Sequence, residues 1–203
     1  MTDATKPLDR MARAHEEEYF RTHNRDLIDA LKAKLERHDR AEGLAEATHI
    51  HDEALLERVA AQGIDKDSMA VIHLVPLLQV AWADGEIQPD EKDLILEAAT
   101  LYGIAEGPAR ARLDAMLKAP PSAEFVDAAI DFIKALLAAL PEGEAEQACE
   151  NMTTLALHVA EANGGLFGLI GKVEASEKAA LRAIADKLSA DYPHAAEHLL
   201  ERL

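Results

Sequence analysis

Two stretches of this chain say the same thing twice. Leu78–Gly85 reads LQVAWADG and Leu157–Gly164 reads LHVAEANG. Leu78, Val80, Ala81, Ala83 and Gly85 match Leu157, Val159, Ala160, Ala162 and Gly164, and Asp84 faces Asn163. Beyond the turn, IQPDEK (Ile87–Lys92) aligns with VEASEK (Val173–Lys178), so Glu91 corresponds to Glu177. Each copy is an apolar helix, a glycine turn and a charged helix start. One such unit cannot cover its own apolar face, and a second copy can. The repeat therefore predicts a pseudo-symmetric helical bundle, with a longer loop in the second copy.

The rest of the chain fits that frame. Apolar residues make up 49% and aromatics only 4%, so the core is built from Leu, Ile, Val and Ala. No segment alternates as a strand does, and the fold class expected is all-α. Residues 8–42 read as one long helix, with Phe20, Leu27, Ile28, Leu31 and Leu35 along a narrow stripe and Gly43 as its stop. A short helix over 51–62 follows. Asp67 and Ser68 offer caps for a helix over 69–83. Pro89 opens a helix to Leu101, and further helices are expected over 106–118, 122–140, 144–161, 174–188 and from Pro193. The architecture expected is a bundle of about seven helices preceded by the long N-terminal one. The division expected is an N-terminal extension over 1–65 and a helical domain over 66–203.

Net charge is -17 and unevenly placed. Residues 1–42 hold 9 Lys/Arg against 10 Asp/Glu, and the remainder holds 12 against 28. A body this acidic repels phosphate backbones, so nucleic acid is not an expected partner; cations and basic proteins are. The opening MTDATKPLDR lacks an apolar signal region, and no apolar run reaches membrane-spanning length. Cys149 is the one cysteine, so the expectation is a reduced, cytoplasmic protein.

The first turn carries the chemistry. Asp84-Gly85-x-Ile87-x-x-x-Glu91 is the second half of an EF-hand loop in register. The first and third ligand positions of such a loop fall on Val80 and Trp82, which are apolar, so an EF-hand is excluded. Two readings of Asp84 and Glu91 stay open. They are caps of a turn and a helix, which favour these residues without any metal, or they are half of a cation site that Glu177 completes.

With these residues in view, VAWADGEIQPDEKDLI resembles the hallmark turn of the TerB-like family, named for a tellurite-resistance protein. ANGGLFGLIGKVEASEK is similar to the family's second, glycine-rich turn, and the likeness covers about residues 66–190. The resemblance implies an acidic all-helical domain with a duplicated helix pair, tied to bacterial stress response and the inner face of the membrane. It also implies a divalent cation, calcium or magnesium, held by Asp84, Glu91 and Glu177. Asn163 departs from the Asp that would make a second, independent site. RMARAHEEEYFRTHNRDLI is more faintly similar to the opening of zeta-type ATP synthase inhibitors, which points to a partner for the first helix.

Other candidates are weaker. GGLFGLIGK lacks the spacing, the Ser/Thr and the preceding strand of a phosphate loop; Leu166, Phe167, Leu169 and Ile170 read instead as core or a docking patch. His49 and His51, with His15, His23 and His38, read as surface histidines, His73 and His158 as core-edge residues, and Cys149 as a small buried hydrophobe. No nucleophile or cofactor motif emerges. The function expected is a non-enzymatic interaction module that binds a divalent cation. A metal-free adaptor acting through its N-terminal helix, as a homodimer or on another protein, is the alternative. A metal-dependent hydrolase ranks below both.

Overall fold

The computed structural model describes residues 6–162 and 173–203, with the side chains of 6–24, 27 and 142 left aside. Asn163 and the glycine-rich stretch from Gly164 to Gly171 lie outside the described residues. So do the side chains of Phe20 and Leu27. The chain divides into two compact units, Met1–Asp39 and Arg40–Leu203. Among the described residues there are helices and no strands, as expected of an all-α protein. No helix among them is long and apolar enough to cross a membrane.

The first unit is helical: α1 runs Lys6–Thr48, and its residues up to Asp39 make up the described part of that unit. The sequence places the stop at Gly43, and the helix passes through it. Gly43 costs about 1 kcal/mol against Ala in a helix interior, but Ala41 and Leu44 on either side are 6% and 0% exposed. Burying that turn outweighs the glycine. The helix ends instead at His49, whose φ of 58° is left-handed.

In the second unit, α2 (Glu53–Ala61) is capped by Asp52, whose carboxylate accepts the Leu55 N–H at 3.0 Å. The apolar segment predicted as one helix over 69–83 is two pieces. Met69–Leu74 is a 3₁₀ helix, and α3 occupies Val75–Ala81. Pro76 is the reason: it has no N–H to bond back to residue 72, so the α-ladder begins only around it. Then follow α4 (Pro89–Leu101), α5 (Gly107–Met116), α6 (Ala123–Ala138), α7 (Glu142–Ala162), α8 (Ala175–Leu188) and α9 (Pro193–Glu201). Ser122 caps α6 by accepting the Phe125 N–H at 3.1 Å. The described residues thus hold nine α-helices, one for each segment the sequence places in helix, and one more than the bundle of about seven plus the first helix.

Helix α3 is apolar except for the half-buried Gln79, close to the pattern of an element buried on every side. It packs against α4, α6, α7 and α8, and Leu77, Leu78 and Val80 are at most 1% exposed. Helix α7 packs against α3, α4, α8 and α9. The two repeats, α3–α4 and α7–α8, therefore pack on each other. Around them α2 lies on α6, and α9 closes over α7 and α8. Arg112 fixes the α5 side: its Nη2 donates to the Gln62 carbonyl at 2.7 Å, with the guanidinium over the Phe125 ring.

Candidate functional site

The first repeat's turn follows from its residues. Trp82 closes α3 and donates its indole N–H to the Met116 carbonyl at 2.9 Å. Gly85 takes a φ of 97°, which a side chain would resist, and that reversal lets the chain leave the helix in one step. Asp84 sits exposed at the turn, and its Oδ1 accepts the Glu86 N–H at 3.0 Å. This is an Asx turn, the usual reason for an aspartate at such a place. Ile87 then packs against the core and aims the chain into α4.

Glu91 is the residue the turn delivers. Its Oε2 accepts the Gln88 N–H at 2.7 Å, the returning arm of a capping box across the first turn of α4. Glu177 does the same at α8, where its Oε2 accepts the Glu174 N–H at 2.6 Å. Each is 1% exposed. The two repeats bring these ends together, close enough for Glu177 to act on Glu91 through its charge and as a hydrogen-bonding neighbour. A hydrogen bond between two carboxyl groups requires a proton on one of them.

Burial pushes the Glu91 carboxyl up to about 7 from an ordinary 4.5. The Gln88 N–H pulls it back down, while the charge and hydrogen bond of Glu177 and the charge of Asp84 raise it further. Two carboxylates at hydrogen-bonding distance in a dry setting cannot both ionise without a counter-charge. With Glu177 beside it, Glu91 keeps its proton up to about pH 7.

Of the three residues expected to share a cation, the structure brings two together. Glu91 and Glu177 meet; Asp84 remains exposed at its turn, close enough for its charge to reach Glu91. Among the described residues no group of three or more His, Cys, Asp or Glu is placed to hold a metal ion. The pair matches the charge of a divalent ion, yet it supplies only part of a coordination shell. Water or other groups would have to complete it.

Sequence reasoning left open that Asp84 and Glu91 cap a turn and a helix, and both do; what it missed is that Glu91 and its repeat mate Glu177 each close a capping box. The signal is present in QPDE and EASE, which carry the same spacing. The first residues, Gln88 and Glu174, are not the Ser or Thr by which a capping box is usually recognised. The remaining candidates sit as follows. His38, His49, His51 and His158 are exposed. His73 is half-buried and stacks on Tyr102 at 5.1 Å between ring centres. Cys149 is buried, and burial with the nearby Glu146 charge pushes its thiol up to about 12, so it is inert as a nucleophile.

Compared with family models, with curated proteins and with solved structures, the chain matches none.

Proposed function

We propose that this chain is a non-enzymatic helical interaction module of the TerB-like kind, serving bacterial stress response, in which the Glu91–Glu177 pair exchanges its proton for a divalent cation. The observation that carries the reading is the meeting of two repeat-related glutamates in the core. A buried carboxyl pair needs positive charge, and a proton or a hard cation such as calcium or magnesium can supply it. Each glutamate keeps one oxygen on a backbone N–H and turns its carboxyl toward the other. Asp84 adds negative potential at the rim. The cation supplies charge neutralisation there and ties the α4 start to the α8 start. Side chains 1% exposed offer no surface for a substrate, which favours binding over catalysis.

A metal-free adaptor acting through α1 is the second reading. Ile28, Leu31 and Leu35, at 51%, 53% and 62% exposed, favour it.

Titration separates the two. Calcium, magnesium, manganese and zinc are added in turn to the wild type, Asp84→Ala and Glu91→Gln, following Trp82 fluorescence and the melting temperature. A cation at the pair raises the melting point of the wild type through linkage. It also releases protons in weakly buffered solution, and Glu91→Gln loses both effects. Equal responses in wild type and Glu91→Gln remove the cation and leave the adaptor.

A further inference from the structure

The second unit carries an apolar groove between α4 and α7. Its volume is about 220 Å³, and its walls are Leu77, Leu94, Ala98, Leu101, Leu155 and Val159. Glu97 and His158 stand at its edge. Leu101 is 75% exposed, the largest value among the exposed large apolar side chains of the described residues. The groove belongs to neither the turn nor the carboxyl pair.

Ile28, Leu31 and Leu35 on α1 are a complementary shape. They fall at i, i+3 and i+7, the anchor spacing of a helix that lies in a groove. From Ile28 to Leu35 and from Leu94 to Leu101 the chain advances the same seven residues, about 10 Å of helix at 1.5 Å per residue. Charge agrees with shape. In heptad terms, with Ile28 and Leu35 at a and Leu31 at d, the flanking e and g positions between Arg25 and Glu36 are Arg25, Leu27, Lys32 and Lys34, three of the four basic. Asp26, Asp29 and Glu36 fall on the outer positions. The stripe thus presents a basic border, and Glu97 borders the groove on a body whose charge is strongly negative.

We infer that the α1 stripe of one copy seats in the α4–α7 groove of a second copy, reciprocally, making a two-fold homodimer. Reciprocity doubles the apolar area covered, because each copy offers one stripe and one groove. Lys32 of each copy then lies toward Glu97 of the other. The inference rests on the interaction-module reading and is independent of the cation, so a negative metal titration leaves it standing.

The test uses the full chain. Sedimentation of the wild type should give a dimer. Leu31→Glu and Leu101→Glu should each give monomers that keep wild-type helical circular dichroism, since both side chains are more than half exposed. Glu97→Lys should weaken the dimer at least tenfold, and adding Lys32→Glu should restore it. With Cys149→Ala throughout, a Leu31→Cys copy mixed with a Leu101→Cys copy should form a disulfide-linked heterodimer on mild oxidation. A monomeric wild type, or a dimer that survives Leu101→Glu, overturns the proposal. So does a Leu31→Cys/Leu101→Cys chain that closes its disulfide within a monomer.

Discussion

The two repeats reach the same end by different routes. The first leaves α3 through a tight turn with Asp84 and the left-handed Gly85, and re-enters helix at Pro89. The second leaves a helix of 21 residues and re-enters at Ala175 after a longer connection. Yet Gln88–Glu91 and Glu174–Glu177 form the same box, with backbone to carboxylate distances of 2.7 and 2.6 Å. The connection between the helices has diverged in length, whereas the buried glutamate at the third helical position has not. What the fold requires of both units is the carboxyl at the seam; the turn is a means of delivering it.

The largest test of that equivalence lies in the core. Leu78 and Leu157 are repeat-related and 0% and 1% exposed. Leu78→Ala and Leu157→Ala should each cost about 2–5 kcal/mol, read from denaturant unfolding. A near-silent result at one of them would break the symmetry between the units.

Replacing the carboxyls comes next. In the unfolded chain Glu91 loses its proton near 4.5, and in the folded chain it holds it to about 7. Between those values the unfolded state binds fewer protons, so stability falls as pH rises through the window and levels off above it. Glu91→Gln keeps an acceptor for the Gln88 N–H and offers the neutral amide that the protonated acid imitates. Above the window it should be more stable than wild type by up to about 3 kcal/mol, and its melting temperature should lose that part of the pH dependence. Glu177→Gln should behave alike. A wild-type melting curve flat from pH ~4.5 to ~7 would rule the shared proton out.

The smallest effect should come from Asp84→Asn, which gives the first repeat the residue of the second. Asparagine still accepts the Glu86 N–H, so stability should change by no more than a few tenths of a kcal/mol. Removing the Asp84 charge should move the pH dependence of melting slightly to the acid side. A large loss of stability would mean that Asp84 does more than close its turn.

Much of this was legible in the sequence because the relevant forces are local. Pro89, Ser122 and Pro193 mark helix starts through their own backbone chemistry, and the repeat exposed the Glu91–Glu177 correspondence. What the sequence could not carry is set by packing. Gly43 reads as a stop until Ala41 and Leu44 are known to be buried. Asp84 reads as a partner of Glu91 because it is seven residues away. Glu177, which the repeat also offered, is far along the chain and meets Glu91 only because α3 packs on α7 and α8. Spacing places Asp84 near Glu91, and only the fold makes Asp84 an exposed cap and Glu177 a buried neighbour. Pro76 is the opposite case, a local signal that was present and outweighed by the apolar run around it.

The double duty of Glu91 and Glu177 has a consequence for how the molecule opens. Each carboxyl closes the first turn of its own helix and grips the other repeat, so fraying at α4 cannot proceed without disturbing α8. The two repeats should therefore open as one cooperative block, although their sequences lie far apart. The amide protons of Gln88 and Glu174, each sheltered by one member of the pair, become gauges of the same event. Their exchange with solvent should slow or quicken together, a matched pair of clocks on opposite sides of the seam.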